Sequence, residues 1–469
     1  MKKIAIAAWL VFILSPVVFT QIVEVRNDQL RKDINGNIID AHDGRVIRFN
    51  NTYYWYGTSY GNTNGMVTDN VFHCYSSADL IHWKDEGVLL PNQPKGVYYR
   101  PHVIYNKKTK QYVLWYNWYE KLWVGQYGVA VSAKPEGPYK IVNKDVKLKY
   151  SDLKVGDLYL FADEDGSAYI SYNTIEHHYI SVEKLSADYL SSTMENSGFI
   201  TDNSEASSMF KRQGKYYLLT DRCCCFCSEG TGAQVYISDN PLKGYKFSGN
   251  INRVPGKKML LLNDNIIAPD NYEEFGMKSS IIFKTAQPCT ITDVIITARL
   301  GNIKTWCGSD VPEDIYPHFE LSCVVDDQPK KQLASDSSVV NKAVTAVVAY
   351  KVHTTAAREF QLAPVKSLAK NIQVSEIEFY QDGHKVEGEF YLDSANVNNV
   401  VIPAQQTCIT ELQTSQGTVY IWMGDMWGST PDRIKGHDYQ FWSAPLQFNS
   451  DGSIMPLKWT DAWSVELIK

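Results

Sequence analysis

The sequence has no excess of positive charge and no basic run or stripe. Its 469 residues include 46 Lys and Arg against 52 Asp and Glu, which gives a formal net charge of −6. Binding to nucleic acid is therefore not expected. After residue 20 no segment approaches the roughly 18 consecutive apolar residues that a membrane span needs. We expect no membrane span once the leader described next has been removed.

The amino-terminal segment is the exception. Lys2 and Lys3 precede the apolar run IAIAAWLVFILSPVVFT, a pattern that is typical of a secretory signal. We predict a signal peptide over residues 1–20 and export to the periplasm or the extracellular space. An uncleaved amino-terminal anchor is the alternative. No cysteine lies near residue 20, which argues against a lipoprotein anchor.

Aromatic residues are abundant, with 30 Tyr and 12 Trp. These side chains suit both strand-rich cores and flat ligands such as sugars, and core packing accounts for most of them. The length of the chain is sufficient for two domains.

A short hairpin pattern recurs along the chain. Glu205–Thr220 reads EASSMFKRQGKYYLLT, which predicts a strand, a tight turn and an aromatic-rich second strand. Similar stretches are Asp43–Gly57, Arg100–Tyr116, Asp157–Tyr172 and Thr410–Asp425. The first four follow one another at roughly 50–60 residues, a spacing that favours propeller blades. We predict an all-β fold: a five-bladed β-propeller with an inserted β-sandwich between the fourth and fifth blades.

Three acidic residues occupy nearly the same place in their repeats, just before the first strand of each hairpin: Asp43, Asp157 and Glu205. The first strand of each blade lines the central channel of a propeller. We therefore expect the three carboxylates to converge at one end of the channel, although chance alignment is an alternative. The loop Thr58–Gly65 is expected to carry ligand contacts there.

The segment 254–403 breaks the repeat and shows alternating runs without helical periodicity, which predicts the inserted sandwich. Residues 21–253 then form blades one to four, and residues 404–469 form blade five. Ile372–Gly383 is similar to the closing strand of discoidin-like carbohydrate-binding sandwiches. An insert that only supports the propeller is an equal alternative. A surface adhesin is disfavoured, because Trp306 is the only Trp in this segment.

The repeats resemble glycoside hydrolase family 43, which consists of five-bladed propellers. The likeness lies in DGRVI at 43–47 followed by TYY at 52–54, in Asp157 followed by DEDG at 163–166, and in the stretch from Glu205 to Tyr217. Within the family, the chain is most similar to the exo-β-1,3-galactanase branch. His42, YYWYG at 53–57, Arg100–Pro101 with VIYN at 103–106, and MGDMW at 423–427 carry that similarity. The chain departs from the branch at Asp43, Thr58 and Tyr99, where the branch has Gly, Glu and Glu.

The resemblance implies an inverting glycosidase with two carboxyl groups roughly 6.5–9.5 Å apart. Glu205 is then the general acid, and Asp43 is the general base that activates water. Asp157 is a third carboxylate that raises the pKa of Glu205 and orients it. For each acid, the alternative is a carboxylate at a blade edge that is bonded to backbone N–H groups.

Six further residues are candidates for binding substrate. Arg100, Asn117 and Gln405 are candidates for sugar contacts, with an ion pair at the blade edge as the alternative for Arg100. Trp55, Trp118 and Trp427 are candidate stacking platforms, with core packing as the alternative for each.

The nine cysteines of an exported protein can form disulfides, and the odd count leaves at least one thiol free or paired outside the chain. Four of them lie in five residues, at Cys223, Cys224, Cys225 and Cys227. A zinc site is disfavoured because the separated pairs of a structural site are absent. We predict a disulfide cluster that stiffens a loop at the wall of the active site.

The predicted function is a secreted inverting exo-glycoside hydrolase that releases a terminal sugar from plant-type oligosaccharide or polysaccharide. A β-1,3-galactosidase is the first choice. The alternatives are an α-L-arabinofuranosidase, a β-xylosidase and a carbohydrate-binding propeller without catalysis. We expect no cofactor. A structural calcium ion in the channel, with His437 as a supporting residue, stays an alternative. The acidic turn 163–166 is expected to be a hairpin turn and not a calcium site.

Overall fold

The computed structural model describes residues 20–468, apart from 64, 66, 223–225, 227–232, 254–255, 266–270, 277–278, 300–317, 326–327, 333–335, 342–344, 367–370 and 395–399. The predicted signal peptide and the four clustered cysteines therefore lie almost wholly outside the described residues. The described part is all-β, and its only helical elements are 3-10 turns such as Ser151–Leu153, Leu261–Asn263 and Lys435–His437. No helix among the described residues is long and apolar enough to cross a membrane.

The first strand, β1 (Thr20–Arg26), is followed by four antiparallel sheets, each built from four strands that are consecutive in the chain. The first sheet contains β2 (His42–Phe49), β3 (Thr52–Ser59), β4 (Val71–Ser77) and β5 (Lys84–Val88). The second contains β6 (Val97–Asn106), β7 (Gln111–Tyr119), β8 (Gln126–Ser132) and β9 (Lys140–Val146). The third contains β10 (Val155–Ala162), β11 (Ala168–Thr174), β12 (Ile180–Leu185) and β13 (Ser192–Asn196). The fourth contains β14 (Ser204–Arg212), β15 (Lys215–Arg222), β16 (Gln234–Ser238) and β17 (Lys246–Asn250).

The next twelve strands form two larger sheets. In chain order they are β18 (Lys257–Lys258), β19 (Glu273–Gly276), β20 (Ser279–Cys289), β21 (Asp293–Arg299), β22 (His318–Val325), β23 (Gln328–Gln332), β24 (Asp336–Asn341), β25 (Thr345–Lys351), β26 (Ala357–Lys366), β27 (Asn371–Gln381), β28 (His384–Lys385) and β29 (Glu389–Ser394). One sheet has the order β18-β29-β20-β26-β22-β23, and the other has the order β19-β27-β21-β25-β24 with β28 beside β27. They share one hydrophobic cluster, in which the rings of Phe283 and Phe379 stack with centroids 4.3 Å apart.

The fifth sheet of the first kind joins both ends of the chain. It contains β30 (Gln405–Thr414), β31 (Gly417–Met426), β32 (Tyr439–Trp442) and β33 (Ala462–Ile468). The strand β33 pairs along its whole length with β1, and the order is β1-β33-β30-β31-β32. Residues 20–26 therefore belong to the last sheet, although they precede the first sheet in the sequence.

The innermost strands of these five sheets lie side by side in a closed circle. The strand β2 contacts β6, β6 contacts β10, β10 contacts β14, β14 contacts β30, and β30 contacts β2. Large buried side chains fill the spaces between neighbouring sheets, because each inner hairpin presents apolar and aromatic residues on both faces. The five inner strands thus form a ring, and we call the space along the axis of this ring the channel.

Candidate active site

Each of the five inner strands carries a β-bulge near its beginning. The register against the second strand shifts between His42 and Arg45, Tyr99 and His102, Val155 and Leu158, Glu205 and Ser208, and Gln406 and Cys408. A bulge inserts an extra residue, bends the strand and redirects side chains. Five bulges at one end of the circle therefore direct side chains toward a common point.

The three predicted acids lie at these bulges, inside the first strands rather than just before them. Asp43 is the first bulged residue of its sheet, as Arg100 is of the second sheet. Asp157 is the second bulged residue of the third sheet, and Glu205 comes directly before the bulge of the fourth. The acids share an end of the channel without sharing one register position.

The bulges also impose an unusual backbone conformation. Asp43 has φ of 50°, Arg100 has φ of 51°, and Ala206 has φ of 53°. A positive φ is uncommon for a residue with a side chain, and such backbone strain is concentrated at functional sites. The surrounding sheets hold these three residues in place.

A cavity of about 210 Å³ opens at this end of the channel. It brings together five of the residues predicted from the sequence, namely Asp43, Arg100, Asp157, Glu205 and Gln405. Aromatic and polar side chains and one aliphatic side chain complete its wall: Tyr99, Tyr119, Trp123, Asn173, His178, Phe226 and Ile175.

A second cavity, of about 590 Å³, lies at the opposite end of the inner strands. Its lining includes Arg45, Arg48 and Lys107 but a single carboxylate, that of Glu411. Glycoside hydrolysis with two protein carboxyl groups needs both on one site. The smaller cavity with three acids is therefore the candidate active site.

Asp43 is held by a tyrosine and surrounded by charge. The hydroxyl of Tyr60 donates a hydrogen bond of 2.5 Å to Oδ2 of Asp43. Burial raises the pKa of Asp43 to about 6, and the carboxylate of Asp425 adds to the rise, while Arg100 and the Tyr60 hydrogen bond oppose it. Asp43 is thus ionised at neutral pH, and its pKa is close enough to neutral pH for it to accept a proton, as a general base requires.

Asp425 supports Asp43 from behind. Its Oδ2 accepts the backbone N–H of Asp43 at 2.7 Å, and its Oδ1 lies 3.2 Å from Nδ1 of His42. Burial alone would lower the pKa of His42, but Asp425 and the nearby Asp40 outweigh it and raise that pKa to about 9. A protonated His42 therefore offsets the negative charge of Asp425 next to Asp43.

Arg100 and Asp157 form the second buried group. Nη2 of Arg100 lies 3.1 Å from Oδ2 of Asp157, and the same oxygen accepts the backbone N–H of Ala206 at 3.1 Å. Burial opposes the charge of Arg100, yet the carboxylates of Asp157, Asp43 and Glu205 raise its pKa above the usual value. Asp157 thus fixes the backbone directly after Glu205, and Arg100 holds the three acids near one another.

Glu205 is oriented by a glutamine. Nε2 of Gln405 donates a 2.7 Å hydrogen bond to Oε1 of Glu205, and Oε1 of Gln405 accepts the indole N–H of Trp427 at 2.8 Å. Because the indole can only donate, it fixes which end of the Gln405 amide faces Glu205. Trp427 is buried among Tyr60, Tyr99 and Phe226, so it positions Gln405 and does not line the cavity.

Three other predicted binding residues do not line the cavity. Trp55 is 2% exposed and packs edge-on against Trp83 and Trp442 in the core. Trp118 is buried against Tyr98 and donates its indole N–H to the carbonyl of Lys144. The alternative of core packing therefore applies to both, and neither is a stacking platform.

Asn117 is also buried, and its Nδ2 donates to the carbonyl oxygen of Gly156 at 2.5 Å. It fixes the bulge that carries Asp157, so its contact is with the backbone rather than with the space for a sugar.

Several site residues were missed. Tyr60 lies in the loop expected to carry ligand contacts, and Asp425 lies in the MGDMW stretch, so both had a signal in the sequence. Asn173 accepts the backbone N–H of Asp157 through its Oδ1 at 2.8 Å. No sequence pattern singled out Asn173, Trp123 or His178.

The described residues include no group of three or more His, Cys, Asp or Glu side chains that could hold a metal ion. Asp163, in the acidic turn, bonds Lys211 and Tyr216. His437 lies 2.8 Å from Asp432 through Nδ1. The described cysteines Cys74, Cys289, Cys323 and Cys408 are unpaired. The calcium alternative and the disulfide cluster both stay predictions.

A cavity that holds several acids from different strands of a β-sheet ring is the arrangement that glycoside hydrolysis with two carboxyl groups requires. Residues 38–259 match the sequence model of glycosyl hydrolases family 43, and the chain is similar to that family over this segment. The matched segment spans the first four sheets of the ring. The chain is accordingly a glycoside hydrolase of the inverting type.

Solved structures of other proteins have a similar fold. A family 43 β-1,3-galactosidase with bound galactodeoxynojirimycin aligns over 94% of this chain and 99% of its own, with 19% identity and a TM-score of 0.55. A second β-1,3-galactosidase aligns over 94% and 64%, with 19% identity and a TM-score of 0.54. An exo-β-1,3-galactanase from Clostridium thermocellum aligns over 94% and 66%, with 19% identity and a TM-score of 0.55. No curated protein gives a significant sequence match.

Proposed function

We propose that the protein is an exported exo-glycosidase that releases a terminal sugar with inversion, with β-1,3-linked galactose as the first candidate. The observation that carries this proposal is the single cavity in which Asp43 and Glu205 lie together with different hydrogen-bond partners. The names of the similar structures, which act on β-1,3-galactosides, support galactose as the sugar.

The proposed architecture is a five-bladed propeller with an inserted sandwich. The circle of inner strands supports five blades, because each inner strand contacts the inner strands of two neighbouring sheets and the fifth returns to the first. The hydrophobic cluster shared by the two larger sheets supports a sandwich.

In the proposed reaction, Asp43 accepts a proton from a water molecule whose oxygen attacks the anomeric carbon. Glu205 donates its proton to the leaving glycosidic oxygen as that bond breaks. The reaction ends with Asp43 protonated and Glu205 ionised, and both return to the starting state by proton exchange with solvent. Because water attacks opposite to the leaving group, the released sugar has the inverted configuration.

Asp157 and Arg100 have supporting roles. The contact of Asp157 with the N–H of Ala206 supports its assignment as an orienting group for Glu205. A positive guanidinium among three carboxylates keeps Asp43 ionised, since an opposite charge favours the charged form. Hydroxyl groups of a bound sugar would be within reach of Arg100 and Gln405, which line the cavity.

The test uses the purified protein and two glutamate variants. Wild type, Glu205→Gln and Glu411→Gln are incubated with oligosaccharides of β-1,3-galactan, arabinan and xylan, and NMR follows the anomeric configuration of the first product. Glu411 lines the opposite cavity, so Glu411→Gln is the matched control and should retain activity. We expect one monosaccharide with inverted configuration and a loss of at least about 10³-fold in Glu205→Gln.

Other outcomes would change the proposal. Release of arabinose or xylose would retain the mechanism and replace galactose. A retained configuration would remove Asp43 as the base. Binding of one oligosaccharide without any release would favour the carbohydrate-binding propeller.

A further inference from the structure

An exposed apolar segment borders the candidate active site. Leu122, Trp123 and Val124 are 46%, 50% and 47% exposed, and they are consecutive in the loop between β7 and β8. Single exposed apolar residues are ordinary, but three consecutive ones beside a cavity are a candidate surface for contact with a ligand.

Trp123 connects this patch to the cavity. It is one of the residues that line the cavity, and its ring meets the ring of Tyr119 nearly edge-on, with centroids 6.5 Å apart and planes at 78°. Tyr119 lines the cavity as well. Half of the Trp123 side chain is thus left uncovered at the rim.

The loop holds Trp123 in a strained conformation. Trp123 has φ of 66°, which is a rare and unfavourable value for a bulky residue. The N–H of Val124 closes a turn onto the carbonyl of Lys121 at 3.0 Å. A Cβ on Gly125 would lie 1.9 Å from the carbonyl oxygen of Val155, so the loop packs directly on the strand that carries Asp157.

The cavity is too small for several sugar units. Its volume of about 210 Å³ is below the roughly 300 Å³ at the lower end of ordinary ligand pockets. A terminal sugar that reaches Asp43 and Glu205 therefore fills it, and the next unit of the substrate has to lie at the rim.

We propose that Trp123 is the stacking platform for the sugar unit next to the one that is released. This inference rests on the proposed glycosidase function and adds a specificity-determining residue to it. The exposed half of the indole offers an apolar surface to the C–H face of a pyranose, which loses water from both surfaces on contact. Trp123 thus favours substrates of two or more sugars over single glycosides.

The chain offers a matched control. Trp459 is 44% exposed, packs against Phe441 and donates its indole N–H to Asp461. It is not among the residues that line the cavity. Trp459→Ala removes an indole of similar exposure without altering the rim.

The first experiment compares two substrates for wild type, Trp123→Ala, Trp123→Phe and Trp459→Ala. One is the disaccharide or trisaccharide that the wild type hydrolyses, and the other is the glycosyl fluoride of the same terminal sugar, which has no second unit. For Trp123→Ala we expect kcat/KM on the oligosaccharide to fall about 10-fold or more, mainly through KM, and the rate on the fluoride to fall by a clearly smaller factor. Trp123→Phe should restore most of the loss, and Trp459→Ala should match wild type.

An equal fall on both substrates would show that Trp123 only shapes the cavity, and an unchanged rate on the oligosaccharide would remove its proposed role. Fluorescence titration of Glu205→Gln separates this inference from the proposed function. Oligosaccharide should quench Trp emission in Glu205→Gln but not in Glu205→Gln/Trp123→Ala. Quenching together with an inactive wild type would reject the glycosidase proposal and keep the platform, whereas quenching that survives the loss of Trp123 would reject the platform.

Discussion

At the residue scale, the two proposed catalytic carboxylates differ in what surrounds them. Asp43 accepts a hydrogen bond from a buried tyrosine hydroxyl and lies near Arg100 and Asp425. Glu205 accepts a hydrogen bond from an amide whose orientation is fixed by Trp427. Two carboxylates in different environments can take different roles in one reaction, because their proton affinities are set separately.

The hydrogen bond from Tyr60 gives a prediction for the pH dependence. A general base has to be ionised, so kcat/KM should fall as the pH drops below about 6, the pKa of Asp43. The Tyr60 hydroxyl stabilises the ionised form of Asp43. In Tyr60→Phe that pKa should rise further, and the acidic limb of the pH–rate profile should move up by about one pH unit.

Tyr116→Phe is the control for that measurement. Tyr116 is buried, its hydroxyl has no hydrogen-bond partner among the described residues, and it does not line the cavity. Its variant should leave the acidic limb in place. An unchanged limb in Tyr60→Phe would mean that another group than Asp43 controls the profile.

The sequence predicted five of the cavity residues because they lie on regular repeats. Asp43, Arg100, Asp157, Glu205 and Gln405 all lie on or beside an inner strand. Trp55 was predicted as a stacking platform with core packing as the alternative, and it packs in the core. A strand residue of an aromatic-rich hairpin faces either a ligand or a neighbouring sheet, and the sequence does not distinguish the two. The contact of Tyr60 with Asp43 depends on how a loop folds back across the strand end, which no local pattern encodes.

At the scale of elements, the bulges decide where the acids point. The hairpins were predictable from alternation and turn residues, but a bulge changes the register by one residue, and that shift carries no clear sequence signal. The acids therefore lie inside the strands and not, as predicted, just before them. The prediction that they share one end of the channel agrees with the structure. The strand β1 was missed, although TQIVEVR alternates in burial, because its partner β33 lies at the other end of the chain.

The first bulge provides a test at this scale. A Cβ on Gly44 would lie 1.8 Å from the carbonyl oxygen of Tyr56, so Gly44→Ala has to displace the strand next to Asp43. We expect a loss of stability of at least about 2 kcal/mol and a loss of activity of about 10²-fold, because a small displacement of a catalytic group is costly. Thermal unfolding and hydrolysis of the oligosaccharide measure the two effects.

Gly276→Ala is the matched control, since a Cβ there meets no atom within 4 Å. It should change neither quantity appreciably. A Gly44→Ala variant with wild-type stability and activity would show that the bulge can move without affecting the base.

At the scale of the whole molecule, the two larger sheets are attached through neighbouring points of the chain. Asn252 joins the segment that enters the larger sheets to the segment that leaves them. Its Nδ2 donates to the carbonyl of Ile402 at 2.8 Å, and its Oδ1 accepts the N–H of Ile402 at 2.8 Å. Arg253 and Val400 form an antiparallel bridge directly beside it. The larger sheets interrupt the sequence of the ring, but the chain leaves the ring and returns to it at adjacent points. The fold of the ring itself is therefore not interrupted.

This attachment predicts that the ring folds without the larger sheets. Deleting residues 254–399 and joining Arg253 to Val400 through Asn-Gly closes the bridge as a two-residue hairpin. The salt bridge of 3.0 Å between Arg253 and Asp393 is lost, but the core of the larger sheets is separate from the clusters between the five sheets of the ring. We expect a cooperatively unfolding protein whose kcat/KM on a soluble oligosaccharide stays within a factor of about three of wild type, since distant sites act independently.

A matched assay on the insoluble polysaccharide then distinguishes the two roles predicted for the larger sheets. A selective loss of activity on the polysaccharide indicates carbohydrate binding, and an equal rate indicates a support. An insoluble or inactive shortened protein would show instead that the larger sheets are required to hold the ring together.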